Sequence, residues 1–572
     1  MTRREKAPRD VALNEPPRVA ERSRLSLVYG AALGIVLFLL HQAAVISGAL
    51  APPPGYEPAW AIRSPDLPQY VTWLAAGRTS FLLPNYHAPW LTEPALFQPL
   101  FLLAGRIPLS PLAAYQIVSL LLYIAAGMAL IYAVRLFCPE HPGYALLASA
   151  CAAPLWLFVL TISKVFHSLL LFGLGLSGIV SYTYNSADGL FRGGLVASPT
   201  LSAGTAFVLL FMAVLAAYVR NGQPRYARVL VALAFFSAFF HPFEIYVMVA
   251  ASAIPLWQCG RFKTWIGVAA AGLLGIAPYV FASTRSEWVR DVGERIKYPM
   301  YAFWIPENYG IPFFVLVYLL LIRFRMPRPE DRILQSWFLA TIVLAFIPGI
   351  SFPSHLFNGF VYCLGFLLAR RLATDPQLLP LLQRYRRVAI SALAAVVLVT
   401  GVSFFLVYRE LWADGRRAEP EWFFTAVRPT SERELLDWLR THADRDALVL
   451  SPPELAPWVA TIPLTSFASH DFFSITYTDQ MKLSDAFYRG ENMQSDLLAA
   501  YGVRFAVVPA SSPAVNRLPA DAFRESIGPW RIYEFPDARM KPYPGLATLE
   551  PNLQTSPRTK VLQWLARLRQ RN

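Results

Sequence analysis

Charge is scarce in this chain of 572 residues: Asp, Glu, Lys and Arg make up 15%, against 55% hydrophobic residues. Soluble domains carry roughly 25% charge, so a protein solvated throughout by water is excluded and lipid must solvate most of it. Cysteine is scarcer still. Cys138, Cys151, Cys259 and Cys363 are all there are, and none follows Cys363. A disulfide framework and a thiolate metal cage are therefore not expected. No Walker loop, GxGxxG, HExxH, GxSxG, heptad pattern or internal repeat occurs. The missing phosphate-cradling glycine loop argues against a nucleotide-driven transporter. The missing inverted repeat argues against a secondary transporter.

What is present is a basic excess with a pattern. The formal net charge is +14, yet residues 1–408 hold 31 Lys and Arg to 17 Asp and Glu, while residues 409–572 hold 20 of each. Within the first part, the segments assigned to the cytoplasm carry 22 basic and 8 acidic residues, and those assigned outside carry 9 of each. This is the positive-inside bias, so the charge encodes topology and no nucleic-acid partner is expected. The apolar run Leu25–Leu50 follows a basic segment, is long enough to span, and lacks a small-residue cleavage pattern, so it reads as a first span and not as a signal peptide.

The expected architecture is an α-helical polytopic membrane protein with a small exported C-terminal α/β domain. Residues 1–24 read as a cytoplasmic disordered tail and residues 25–408 as the transmembrane domain. About eleven spans are expected. They are Leu25–Ser47, Leu112–Leu136, Tyr144–Ile162, Ser198–Val219, Val229–Phe240, Phe243–Trp257, Thr264–Ala282, Tyr309–Ile322, Ile333–Ile350, Leu356–Leu368 and Val388–Tyr408. Residues 165–181 are apolar, but as a span they would invert every later loop, so a re-entrant or horizontal segment is expected. A long first outside loop covers 48–111. Residues 409–545 alternate short apolar strands (Ala447–Leu450, Arg504–Val508, Trp530–Phe535) with helices, which reads as a parallel α/β domain. Ser431 to Glu434 has capping-box spacing before the first of those helices. Residues 546–572 form a basic amphipathic tail suited to a membrane surface.

Several polar residues stand where lipid or its boundary makes them costly. Asp66 lies in Ser64-Pro65-Asp66-Leu67-Pro68, where it is either a functional acid or a turn former. Glu93 in the same loop binds sugar or metal, or is an interfacial carboxylate. Lys164 and Arg192 bracket the re-entrant segment, as phosphate ligands or as snorkelling anchors. His241 and Glu244 sit at an apolar hairpin tip, where ionisable groups point to function or cap the helix ends. Arg285, Arg290, Arg295 and Lys297 lie among acids and read first as a solvated, self-paired loop. His41 reads as a packing histidine. No D-x-D or His pair accompanies Asp66, and the contiguous Ser469-His470-Asp471 is not a triad by adjacency.

Four features together resemble the GT-C superfamily of polytopic glycosyltransferases, near the bacterial aminoarabinose and protein-O-mannosyl transferases. They are Asp66-Leu67-Pro68-Gln69-Tyr70 with Gly77; Asn85-Tyr86, Glu93-Pro94, Gln98-Pro99 and Gly105; the His241-Pro242 hairpin; and Gly502-Val503-Arg504-Phe505-Ala506-Val507-Val508. The resemblance implies an inverting transferase that takes a sugar from a polyprenyl-phosphate donor to a lipid or glycan acceptor on the outer face of the bacterial inner membrane. Asp66 would be the catalytic base, with a divalent metal in some relatives. Tyr70, Glu93, Lys164, Arg192, His241, Glu244 and His355 would bind substrate. His355 stands where relatives often carry arginine. The alternative is a non-catalytic scaffold or lipid-linked sugar flippase of the same fold.

Overall fold

A computed structural model describes residues 19–50, 54–63, 67–87, 94–139, 199–295, 328–350, 353–374, 425–469, 477–491 and 494–541, with a few isolated positions between them. The expected spans Tyr144–Ile162, Tyr309–Ile322 and Val388–Tyr408, the segment 165–181 and the tail 546–572 lie outside the described residues.

Helices occupy each of the other expected spans: α1 (Val19–Leu50), α4 (Pro111–Phe137), α5 (Pro199–Asn221), α6 (Pro224–Phe240), α7 (Glu244–Gln258), α8 (Phe262–Arg285), α10 (Pro329–Ala345) and α11 (Phe360–Thr374). Between α1 and α4 run β1 (Tyr56–Arg63), α2 (Leu67–Gly77) and α3 (Pro99–Ala104), and α9 (Glu287–Arg295) follows α8. Among the described residues, Pro111–Phe137, Ser202–Asn221 and Phe262–Arg285 are long and apolar enough to cross a membrane. On α8, Leu273, Leu274, Val280 and Phe281 are exposed. Such a stripe is costly in water and favourable in lipid. Composition and these helices mark a membrane protein.

Local chemistry sets the helix ends. Ser110 caps α4 by accepting from the Ala113 amide, with Pro111 at the first helical position. At the end of α6, Pro242 forces the preceding residue out of helical geometry, and His241 is extended at φ −151° and ψ 91°. Packing follows residue size. A methyl on Gly34 would strike the Tyr123 carbonyl and one on Gly127 the Gly30 carbonyl, so these glycines let α1 and α4 touch backbone to backbone. Helix α5 is apolar on every side, with Leu209, Phe211, Met212, Ala213 and Leu215 fully buried, and it forms the centre of the bundle. At one end of the bundle, Arg370 makes a two-pronged pair with Asp331 (2.7 and 3.1 Å), and Arg220 pairs with Glu330 at 2.7 Å.

The C-terminal part holds β2 (Thr425–Pro429), α12 (Thr430–His442) and a five-stranded sheet. Its strands are β3 (Leu448–Leu450), β4 (Thr465–Ser466), β5 (Phe505–Pro509), β6 (Phe523–Ile527) and β7 (Trp530–Glu534), ordered β4-β3-β5-β7-β6. The sheet is mixed, which corrects the expectation of a parallel one: β3 runs parallel to β4 and β5, while β7 is antiparallel to both β5 and β6. A two-residue turn with Gly528 at φ +56° joins β6 to β7 as a hairpin. Ser431 does not cap α12 either. The helix starts one residue earlier, and its Thr430 amide donates to the Gly55 carbonyl at 3.0 Å.

Candidate functional site

The Pro242 break places His241 at the end of α6 and Glu244 in the first turn of α7, three residues apart. The side chains meet: the His241 Nδ1 lies 2.7 Å from both Glu244 oxygens. Both are enclosed, with His241 2% and Glu244 0% exposed. An ionised carboxylate only accepts, so Nδ1–H donates to it and Nε2 is the nitrogen left for other work. The Asn358 Nδ2 also donates to Glu244 Oε1, so two donors from different segments converge on one carboxylate. The three residues form one buried unit.

The surroundings are shaped to it. A methyl on Gly204 of α5 would overlap Glu244 Oε1 and come within 2.9 Å of Asn358 Nδ2, so only glycine leaves room for the carboxylate. His355, in the short 3₁₀ turn Pro353–Phe357, stacks on His241 with ring centres 5.3 Å apart and planes 19° apart. Phe243 closes edge-on against His355 at 4.8 Å and against His241 at 5.1 Å. Asn358 Oδ1, Thr205 Oγ1 next to Gly204, and Ser237 Oγ one turn before His241 are buried without a hydrogen-bond partner among the described residues. Orphaned polar atoms in an apolar bundle are costly, and one of them belongs to Asn358, the residue that donates to Glu244.

The segment between α1 and α4 and the C-terminal part meet near this end of the bundle. Strand β1 pairs antiparallel with β2, matching Tyr56 to Pro429, Glu57 to Arg428 and Pro58 to Val427. Glu57 sits between Arg428 at 2.7 Å and Arg433 at 3.1 Å. Further along, the Ser466 amide donates to the Tyr86 carbonyl at 2.9 Å, and His87 Nδ1 lies 2.6 Å from Ser469 Oγ in a buried contact. Burial pushes the Tyr86 phenol above its ordinary pKa, against a smaller opposing pull from Arg445. Helix α2 occupies the junction: Leu67, Tyr70, Trp73 and Leu74 share an apolar cluster with Phe101, Tyr115 and Trp288, against which Phe243 and Trp458 pack. Thus α2 touches the C-terminal part and shares its apolar cluster with Phe243 of the His241 tip. Paired cysteines test this seam. Glu57→Cys with Arg428→Cys is expected to crosslink in intact membranes, since paired strand residues lie about 5 Å apart at Cα. An uncrosslinked double variant that retains its abundance would remove the seam.

Of the residues singled out from sequence, the structure brings His241, Glu244 and His355 together. Tyr70 is packed, its ring stacked on Phe101 at 4.8 Å and on Tyr115 at 6.0 Å, where it anchors α2. Asp66, Glu93, Lys164 and Arg192 lie outside the described residues. The expected self-paired loop around Arg290 is instead the helix α9, whose Trp288, Val289 and Val292 are buried, while Arg290 pairs with Glu287 at 3.6 Å on its exposed face. Asn358, Gly204 and the His87–Ser469 contact were not singled out. No group of three His, Cys, Asp or Glu side chains is placed to hold a metal among the described residues.

No family model and no curated protein sequence matches this chain. Among solved structures it is similar to a crystal structure of the Archaeoglobus fulgidus oligosaccharyltransferase in complex with zinc and sulfate. Identity is 14%, the TM-score is 0.40, and the match covers 85% of this chain and 68% of that one. The likeness is too distant to carry an activity or a site across.

Proposed function

We propose that the chain is an inverting glycosyltransferase that moves a sugar from a polyprenyl-phosphate donor to a lipid or glycan acceptor at the outer face of the inner membrane. The observation that most supports this reading is the seat of α2. The helix that begins directly after Asp66 in sequence belongs to one apolar cluster against which Phe243, between His241 and Glu244, and Trp458 of the C-terminal part both pack, which supports a reaction that needs an acid near this buried polar unit.

The chemistry needs little more. The Asp66 carboxylate takes the proton of the acceptor hydroxyl, the acceptor oxygen bonds to the anomeric carbon, and the bond from that carbon to the phosphate oxygen breaks. Attack from the opposite face inverts the anomeric centre. The departing polyprenyl phosphate leaves as an anion without a proton, so fixed cations serve it better than an acid does. Lys164 and Arg192 take that role in this reading. His241, its Nδ1–H committed to Glu244, offers Nε2 as acceptor for a sugar hydroxyl, while Glu93 and the stacked His355 complete the binding of the sugar. The C-terminal part roofs the site and selects the acceptor.

A deletion strain tests the proposal. Loss of the chain is expected to leave one lipid-linked sugar unused and accumulating, with a matching sugar missing from an envelope glycan, and the wild-type chain should restore both. Unchanged lipid-linked sugars and glycans in the deletion would contradict the reading.

A further inference from the structure

A second site lies at the opposite end of α6. Helices α6 and α8 approach closely near its C-terminal end, where a methyl on Gly275 would come within 2.6 Å of the Phe235 carbonyl. Toward the other end they part. A methyl on Gly267 would meet only the Val231 Cγ2, at 3.3 Å. The parting leaves an open groove of about 660 Å³, floored by Val231, Gly267 and Ala271 and walled by Phe235 and Leu274. At its mouth stand Arg228 and Lys263, with no acidic side chain in the lining. Arg228 is 13 residues before His241 on the same helix, about 20 Å along its axis, so this groove is separate from the site above.

The two cations differ from their neighbours. Arg220 pairs with Glu330, Arg261 donates to the Tyr218 and Val219 carbonyls, and Arg370 pairs with Asp331. Arg228 and Lys263 are exposed and have no hydrogen bond or ion pair among the described residues. Two unpaired cations over an almost purely apolar slot match one chemistry, a phosphate on an acyl chain. Basic pockets between membrane helices on the cytoplasmic side bind anionic headgroups in this way, and the basic end of this bundle is the one the charge asymmetry assigns to the cytoplasm.

The geometry points to a binding site for one anionic phospholipid in the cytoplasmic leaflet, its headgroup phosphate between Arg228 and Lys263 and one acyl chain lying in the α6–α8 groove over Gly267. The lipid fills a gap that the α6–α8 interface leaves open and ties the hairpin to the bilayer at a fixed depth.

The test is a lipid titration of the purified full-length protein in detergent, followed by native mass spectrometry. The probes are palmitoyl-oleoyl phosphatidylglycerol and phosphatidylcholine with the same chains. Wild type is expected to retain one phosphatidylglycerol in preference to phosphatidylcholine. Arg228→Gln with Lys263→Gln should weaken it about 30-fold, from the contribution of two basic residues near a membrane surface. Gly267→Leu, which leaves both cations in place and fills the floor, should abolish the single tight site. Equal retention of the two lipids, undiminished phosphatidylglycerol binding by the double glutamine variant, or an unaffected Gly267→Leu protein would each overturn the assignment.

Discussion

Asp66→Asn is expected to lower sugar transfer by about 10²–10⁴-fold, the usual contribution of a positioned general base, at unchanged abundance. Asparagine keeps the shape and turn chemistry of the Ser64-Pro65-Asp66-Leu67-Pro68 segment but cannot take a proton from an alcohol. A turn former would tolerate the exchange, because asparagine serves turns as well as aspartate does. The substitution therefore separates the two readings of this residue. Donor binding should survive it, since the groups assigned to phosphate and sugar are other side chains. A variant that binds donor but leaves it unconsumed is the expected phenotype.

The second large effect is on stability. Glu244→Ala removes the acceptor from two buried donors at once, leaving His241 Nδ1–H and Asn358 Nδ2 facing an apolar bundle. Breaking a buried pair by deleting one partner costs about 3–5 kcal/mol, and the expected result is a marked fall in thermal unfolding temperature in detergent. Glu244→Gln keeps the size and one acceptor oxygen, so it should recover part of the loss. A double-mutant cycle with His241→Ala isolates the pair: the effects of the single changes should not add, because each removes the same interaction. Additive losses, or a Glu244→Ala protein as stable as wild type, would mean that the three residues do not act as one unit.

Parts of this arrangement were legible in the sequence because their physics is local. The His241-Pro242 break announces a helix end through proline's missing donor and the restriction it places on its neighbour. The spacing of His241 and Glu244 across that break placed two ionisable groups at one apolar tip. Long apolar runs marked α1, α4, α5 and α8, while shorter apolar runs between basic clusters and breakers such as His241-Pro242 marked α6, α7 and α11. Other parts depend on distant pairing that no local pattern encodes. Asn358 donates to Glu244 across 114 positions, and followed by Gly359 at φ +78° it reads locally as a turn. Gly204 lies mid-helix, and its need for a missing side chain shows only once Glu244 is placed against it. The contact of His87 with Ser469 spans 382 positions. The mixed sheet is a different case: Ile527-Gly528-Pro529-Trp530 carries a hairpin signal, but β6 is exposed along Phe523–Ser526 and lacks the alternation that marks a strand.

The most direct measurement is donor consumption by the purified protein in proteoliposomes, followed as free polyprenyl phosphate released from a panel of labelled polyprenyl-phosphate monosaccharides with envelope lipids and glycans as acceptors. Wild type should turn over one donor, release one polyprenyl phosphate for each sugar transferred, and give a product of inverted anomeric configuration, while Asp66→Asn should bind that donor and release polyprenyl phosphate about 10²–10⁴-fold more slowly. Equal turnover by the two proteins, or no consumption of any donor by wild type in membranes from which it complements a deletion, would contradict the account.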